Sequence, residues 1–182
     1  MKHALVVGGT GMLADVSIWL VNQGYQVSII ARNPARMNSL LERTNNKHNI
    51  TPLLVDYKKD DALQAKVRAA IEKHGPIDLA IAWIHSNAPN ALNVIVNEIT
   101  EHQNDWDLFH VLGSSSNLEK IKKGFPAPEG CNYYQVQLGF VLEGEFSRWL
   151  SHKEISVGVI DAIRHRKKIL TVGQLEPWEK RP

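Results

Sequence analysis

The chain has 182 residues, of which 43% are hydrophobic and 22% are charged. These are the proportions of an ordinary globular protein, and the length suits one hydrophobic core, so we expect a single domain over residues 1–182. The formal net charge of +2 is too small to indicate a nucleic-acid partner, and the single cysteine, Cys131, excludes an internal disulfide framework.

Short apolar runs alternate with longer amphipathic stretches from the first residues onward. Strands are predicted over 4–7, 25–31, 50–55, 77–84 and 108–112. Helices are predicted over 11–23, from Pro34, over 60–73 and over 90–101. Strands that alternate with helices in this way are typical of a doubly wound, mostly parallel sheet. The sequence therefore predicts an α/β protein with a Rossmann fold of about seven strands.

The regular alternation weakens after Leu112. Residues 113–132 are rich in Ser, Lys, Gly and Pro, and we predict that they form mostly loop. Hydrophobic side chains then fall on every second residue from 134 to 142, which predicts one strand that begins at Tyr133. Ser151 can cap a last helix that runs to about residue 164, and residues 169–172 complete the seven strands.

A glycine-rich turn separates the first predicted strand from the first predicted helix. Small residues occupy every third position, at Gly8, Gly11 and Ala14. Such spacing allows a tight turn, lets the backbone approach a pyrophosphate and permits close packing of helix on strand. The alternative is an ordinary turn. We predict dinucleotide contacts from five residues of this segment: Gly8, Thr10, Gly11, Met12 and Leu13.

The end of the second strand indicates which dinucleotide is bound. An Asp or Glu at this point accepts hydrogen bonds from the free ribose 2′-hydroxyl of NAD, but this chain has Arg32 there. A guanidinium group can clamp a 2′-phosphate, and Arg36, one helical turn later, can assist. The alternative is a pair of solvated surface arginines. The sequence thus predicts NADP as the cofactor, with NAD less favoured.

Several segments together resemble one family. They are Gly8-Gly9-Thr10-Gly11, Ala31-Arg32-Asn33, Val55-Asp56-Tyr57, residues 137–141 and residues 150–155. The chain is similar to short-chain dehydrogenases/reductases, in their shortened, atypical branch. The resemblance implies that Asp56 contacts the adenine amino group, with Tyr57 beside it in the cofactor site. The alternative for Asp56 is a loop carboxylate that flanks a helix.

Two further segments are candidates for catalysis. The fourth strand ends in Ala82-Trp83-Ile84-His85-Ser86, where the family has an Asn-Ala-Gly-like segment under the cofactor ribose. His85 can line the crevice and exchange a proton near neutral pH, or be merely structural; Trp83 is expected in the core. Ser114 and Ser115, followed by Ser116, stand where the family places the serine that orients the substrate carbonyl, although serines are also ordinary loop or cap residues.

The Tyr-x-x-x-Lys pair of the family is missing. Its nearest match, Tyr133-Tyr134-Gln135-Val136-Gln137, has glutamine in the lysine position, so no positive charge stabilises a phenolate. The two-residue alternation also favours a strand here, in which Tyr133 and Gln137 cannot form the helical pair. The stretch between Ser114 and this strand is also too short for the family's catalytic helix and its entry loop, so we predict that this helix is absent.

These observations predict an oxidoreductase that acts on a small carbonyl substrate of unknown identity, and the alternative is a non-catalytic module for NADP(H) sensing or interaction. No metal-ligand spacing occurs among the histidines, so we predict no metal site. No apolar run reaches membrane-spanning length and the first residues lack a signal-peptide layout, so we expect a cytoplasmic protein without a membrane partner. Family analogy suggests a homodimer.

Overall fold

The computed structural model describes all 182 residues and contains nine strands and six α-helices, which alternate as far as β6. The strands are β1 (His3–Val7), β2 (Gln26–Ala31), β3 (Ile50–Leu54), β4 (Leu79–Trp83), β5 (Trp106–Leu112), β6 (Cys131–Leu138), β7 (Phe140–Glu143), β8 (Phe146–Trp149) and β9 (Ile169–Val172). The helices are α1 (Ala14–Asn22), α2 (Pro34–Glu42), α3 (Asp60–His74), α4 (Ala91–Thr100), α5 (Leu118–Gly124) and α6 (His152–His165). Two short 3₁₀ turns cover Lys47–Asn49 and Trp178–Lys180.

Seven of the strands form one parallel sheet in the order β3-β2-β1-β4-β5-β6-β9. The chain winds outward from β1 in one direction through β2 and β3, and in the other direction from β4 onward. This reversal confirms the predicted doubly wound α/β fold. In such sheets a crevice opens at the carboxyl ends of the strands where the winding reverses, here between β1 and β4.

Both faces of the sheet are covered by helices. One core cluster packs α1 and α6 against one face, around Val6, Ile29 and Phe109. The other packs α3 and α4 on the opposite face, around Leu5, Ile30 and Leu108. Because each face is covered, all of β1 and the first four residues of β4 are buried, which explains the continuous apolar sequences of these strands. None of the helices combines the length and the apolar character needed to cross a bilayer.

The strand predicted from Tyr133 to residue 142 is in fact two strands that part at Gly139. A β-carbon at Gly139 would collide with the backbone of Gln174, so only glycine lets the chain at residue 139 approach the chain at residue 174. After this point β7 turns through Gly144, at a φ of 65°, and pairs with β8 as an antiparallel hairpin outside the main sheet. The single-strand prediction was wrong because side-chain alternation continues across the break.

The segment between β5 and β6 is mostly loop, as predicted, but it also contains the short helix α5. Asn117 caps this helix, because its side-chain oxygen accepts a hydrogen bond from the backbone N–H of Lys120 at 3.1 Å. The helix has only seven residues. At the other end of the protein, α1 begins at Ala14 rather than at Gly11, because residues 8–13 form the turn itself.

Candidate functional site

A cleft of about 950 Å³ lies at the carboxyl ends of the first four strands. Its volume is in the range of small-molecule and cofactor sites. Its wall is formed by Gly8, Thr10, Gly11, Met12, Ile30, Ala31, Arg32, Asn33, Pro34, Arg36, Val55, Tyr57, Trp83, His85 and His152. The cleft thus lies at the point where the winding of the sheet reverses.

The glycine turn forms one wall of the cleft. Gly8 has a φ of 86°, a conformation that favours glycine, and its carbonyl accepts a hydrogen bond from the N–H of Gly11 at 3.3 Å. A β-carbon at Gly11 would meet no atom within 4 Å, so this residue faces open space in the cleft. The turn therefore presents bare backbone to a ligand. Leu13 is fully buried and does not line the cleft.

The close approach of helix α1 to the sheet occurs at Gly9. A β-carbon there would lie 2.7 Å from Oγ of Ser17 and 2.8 Å from Cγ2 of Ile29, so no larger residue fits without movement. The Ser17 hydroxyl also donates a hydrogen bond to the Gly9 carbonyl at 3.2 Å. The sequence predicted that Ala14, the third small residue of the spacing, permits this packing. Ala14 is also buried, but it is the first residue of α1 and does not make the closest approach to the sheet.

Helix α6 supports the turn by direct contact. The buried Ser156 hydroxyl donates to the Met12 carbonyl at 2.8 Å. The helix begins with a capping box of Ser151 and Glu154, and hydrogen bonds from Arg148 and from Ser151 lower the pKa of Glu154 to about 2. This start places His152 in the cleft wall. The sequence predicted no site role for His152 or Ser156, because their roles depend on how α6 packs against the distant turn.

The wall at the end of β2 is cationic. Arg32 and Arg36 are exposed, line the cleft and take part in none of the ion pairs of the protein. Asn33 orients this segment, because its side-chain oxygen caps α2 by accepting from the N–H of Arg36 at 3.1 Å. No Asp or Glu lines the cleft. The wall therefore favours a ligand that carries negative charge near β2.

The two residues predicted after β3 have different positions. Tyr57 lines the cleft, and its phenol oxygen accepts a hydrogen bond from the backbone N–H of His85 at 3.1 Å. Asp56 is not part of the wall, and its carboxylate accepts from the N–H of Lys58 at 3.0 Å in the turn before α3. The structure thus links Tyr57 to the end of β4, and it uses Asp56 in the local turn.

His85 and Trp83 both line the cleft at the end of β4. Their rings meet edge to face, with centroids 5.8 Å apart and planes at 73°. His85 is exposed, whereas Trp83 is half-buried. The expectation that Trp83 belongs to the core is met in part, because the indole packs against the core cluster of α1 and α6 but stays half-buried at the end of the strand.

Ser114 and Ser115 follow β5 but do not line the cleft. Their loop is held by the buried side chain of Gln137 at the end of β6. Its Nε2 donates toward the carbonyl oxygens of Gly113 and Ser114, both at 3.3 Å, and of Ser116 at 2.9 Å. Gln137, which stands in the lysine position of the family's motif, therefore fixes the backbone of the serine loop.

Tyr133 is a buried residue of β6, which confirms the predicted strand and excludes a helical pair with Gln137. Its phenol oxygen lies 2.6 Å from Nδ1 of His110. Burial raises the pKa of Tyr133 to about 12 and lowers that of His110 to about 4. Both groups are therefore neutral at physiological pH, and the Tyr133 phenol is poorly suited to proton transfer.

Glu98, Glu101 and His102 bring their side-chain oxygen and nitrogen atoms within 4.8 Å of one another at the end of α4. The side chains of Glu98 and His102 already have protein partners. The buried Glu98 carboxylate accepts from Arg68 on α3 at 2.8 Å and 3.1 Å, and these hydrogen bonds lower its pKa. His102 Nδ1 lies 3.0 Å from the Glu98 carbonyl oxygen. This cluster therefore ties α3 to α4.

Comparison with known proteins gives the same fold. A family model described as short chain dehydrogenase matches residues 2–110. A short-chain dehydrogenase/reductase from Serratia marcescens is 17% identical over 94% of this chain and 96% of its own, with a TM-score of 0.76. No curated protein sequence matches the chain.

Two similar structures contain a dinucleotide. An F189W actinorhodin polyketide ketoreductase, described with NADPH, is 13% identical over 96% of both chains, with a TM-score of 0.73. A short chain dehydrogenase/reductase from Burkholderia phymatum, described in complex with NAD, is 10% identical over 94% of this chain and 88% of its own, with a TM-score of 0.72. At these identities the structural likeness establishes the shared fold.

Proposed function

The chain belongs to the short-chain dehydrogenase family, and from this premise we propose that it binds NADP(H) and uses it to reduce a small carbonyl compound. The observation that carries the proposal is the cleft wall, which contains Arg32 and Arg36 and no carboxylate. The NADPH and NAD described in the two similar structures support a nicotinamide dinucleotide as the ligand class.

The residues of the cleft fit the two charged parts of such a ligand. The half-buried backbone at Gly8 and Gly11, which lines the cleft next to the first turn of α1, suits a pyrophosphate, because helix N-termini offer free N–H groups. Arg32 and Arg36 suit a 2′-phosphate, which NADP(H) has and NAD(H) lacks. Tyr57 is proposed to contact the adenine, and Asp56 would join it only if its carboxylate leaves the turn to Lys58.

When bound, the cofactor supplies the hydride. The protein has to orient the substrate and deliver a proton to the carbonyl oxygen. We assign the proton to His85, because it is exposed in the cleft and imidazole is a common general acid and base. Ser114 and Ser115 are the proposed residues for orienting the carbonyl. Their loop has to come nearer to the cleft for this role, because they do not line it in this structure.

That position of the serines favours a second candidate function. A protein that binds NADP(H) without hydride transfer needs the glycine turn and the arginines, but it needs neither the serine loop nor a reactive tyrosine. Here Ser114 and Ser115 lie outside the cleft wall and Tyr133 is buried in a strand. The second candidate is therefore a module for NADP(H) sensing or interaction.

Calorimetric titration with NADPH and NADH tests the binding, and we expect NADPH to bind at least about tenfold more tightly. Consumption of NADPH is then followed with a panel of aldehydes, ketones and quinones. Turnover that is lost in His85→Ala or Ser115→Ala, but kept in the control Ser147→Ala on β8, which lies outside the cleft wall, supports the reductase. Tight binding without turnover on the panel favours the sensing module. If neither NADPH nor NADH binds, both candidate functions are refuted.

A further inference from the structure

The indole of Trp83 lies between the glycine turn and the serine loop. A β-carbon at Gly8 would be 3.6 Å from Cβ and Cδ1 of Trp83, at the near end of the side chain. A β-carbon at Gly113 would be 4.0 Å from Cη2, at the far end of the six-membered ring. The side chain therefore spans the distance from the end of β1 to the end of β5.

The cleft extends from this indole toward β2 and β3. On the side of β2 and β3 it is lined by residues suited to an adenosine and its phosphates, such as Arg32, Val55 and Tyr57. On the other side, no residue of the serine loop 113–116 lines it. Trp83 thus marks the end of the open space that leads from the phosphate turn.

The indole is held in this position by its neighbours. It packs in part against the core cluster of α1 and α6, and His85 meets it edge to face. Such contacts between an aromatic ring and its surroundings stabilise one orientation. The ring can move only if it loses these contacts. A ligand that displaces the indole therefore has to offset their loss with its own binding energy.

We propose that Trp83 is a specificity-determining residue that limits the open cleft to the adenosine and phosphate half of NADP(H). The proposal rests on the nucleotide binding proposed above. The nicotinamide half then adds little affinity, and hydride transfer is left to conformations in which the indole has moved aside. Adenosine 2′,5′-bisphosphate, which carries the adenosine and both phosphates that the cleft can recognise, is the matching small ligand.

The test compares NADPH with adenosine 2′,5′-bisphosphate on the native protein by calorimetry. We expect dissociation constants within about threefold of one another, because the serine loop beyond the indole does not line the cleft and gives the nicotinamide half no contact there. The fluorescence of the reduced nicotinamide gives an independent readout, since its intensity and wavelength respond to burial of the ring. We expect little change when NADPH binds to the native protein.

Trp83→Ala should open the path to the serine loop. In this variant we expect NADPH to bind at least about fivefold more tightly with a clear rise in nicotinamide fluorescence, while the bisphosphate binds as before. Trp83→Phe, whose ring is shorter, should lie between the two and serves if the alanine variant does not fold. Trp178→Ala, at an exposed tryptophan outside the cleft, is the matched control and should leave both ligands unchanged.

The proposal is overturned if NADPH binds the native protein more than about tenfold more tightly than the bisphosphate and its fluorescence rises on binding. It is also overturned if Trp83→Ala weakens both ligands equally, because the indole is then part of the nucleotide site. If neither ligand binds the native protein, the nucleotide-binding function itself is refuted, and this inference with it.

Discussion

The phenol oxygen of Tyr133 lies 2.6 Å from Nδ1 of His110, and both side chains are buried on neighbouring strands of the sheet. Burial keeps the imidazole neutral, with a pKa of about 4 against an ordinary value of 6.5. In the unfolded chain the same imidazole is solvated and accepts a proton at the ordinary pKa. Acidification therefore favours the unfolded state wherever the pH lies between these two values.

We predict that the free energy of unfolding falls by about 3 kcal/mol through His110 alone as the pH drops from 7.5 to 4. The contribution of His110 to the free energy of unfolding is present above pH 6.5. It is lost on acidification, because the imidazole takes up a proton more readily in the unfolded chain than in the folded protein. Urea unfolding at a series of pH values measures it. His3 and His74 also have lowered pKa values, so the pH dependence of the free energy of unfolding measured for the native sequence contains their contributions as well.

His110→Gln isolates the contribution of His110, because glutamine keeps a polar partner for Tyr133 and does not titrate. The variant should lose less stability than the native protein over the same pH range. Equal slopes for the two proteins would show that His110 is not protonated on unfolding in this range.

Two neighbouring glycines should respond in opposite ways to alanine. At Gly9 the new methyl group meets Ser17 Oγ at 2.7 Å and Ile29 Cγ2 at 2.8 Å, so Gly9→Ala should destabilise the protein by about 1–3 kcal/mol. At Gly11 it meets nothing within 4 Å, so stability should change by less than about 0.5 kcal/mol. Chemical unfolding of both variants measures these effects.

Gly11→Ala is also a test of the cleft. Because the new methyl group occupies open space where a pyrophosphate is proposed to lie, the variant should bind NADPH about tenfold or more weakly while it remains folded. Native affinity in this variant would contradict a ligand path across Gly11, whereas a loss of stability would contradict the open space seen there.

The fold was predictable because its signals are local and repeated. The buried strands β1 and β4, the amphipathic helices and the glycine turn at Gly8 each carry a pattern that can be read within a few residues. The same kind of pattern failed at Gly139. The alternation continues there, but the close approach of the distant Gln174 breaks the strand, and no sequence window contains both residues.

The site was predictable only in part. Arg32 and the turn at Gly8 stand next to strand ends, where position in the sequence implies position in the crevice. The roles of Trp83, His152 and Gln137 depend on which distant backbone each side chain reaches, and therefore needed the folded structure. The homodimer expected from the resemblance stays a prediction, because one chain alone does not test it.

Gln137 should control the order of the serine loop. Gln137→Leu removes the amide that donates toward three loop carbonyls, so we expect a loss of about 1–3 kcal/mol in stability. Amide hydrogen exchange should become faster in peptides that cover residues 113–117. Gln135→Leu is the matched control, because Gln135 donates to the Leu118 carbonyl at 3.0 Å instead. Equal acceleration of residues 113–117 in both variants would contradict a specific role of Gln137.

Arg32→Asp should reverse the preference between the two dinucleotides. The carboxylate repels a 2′-phosphate and accepts hydrogen bonds from a free 2′-hydroxyl, so NADPH affinity should fall by about 100-fold while NADH affinity changes little or rises. Calorimetric titration of both nucleotides measures the ratio. Arg181→Asp changes the charge by the same amount outside the cleft wall, so it should leave the ratio unaltered. Equal losses for NADPH and NADH in Arg32→Asp would refute the assignment of this guanidinium to the 2′-phosphate.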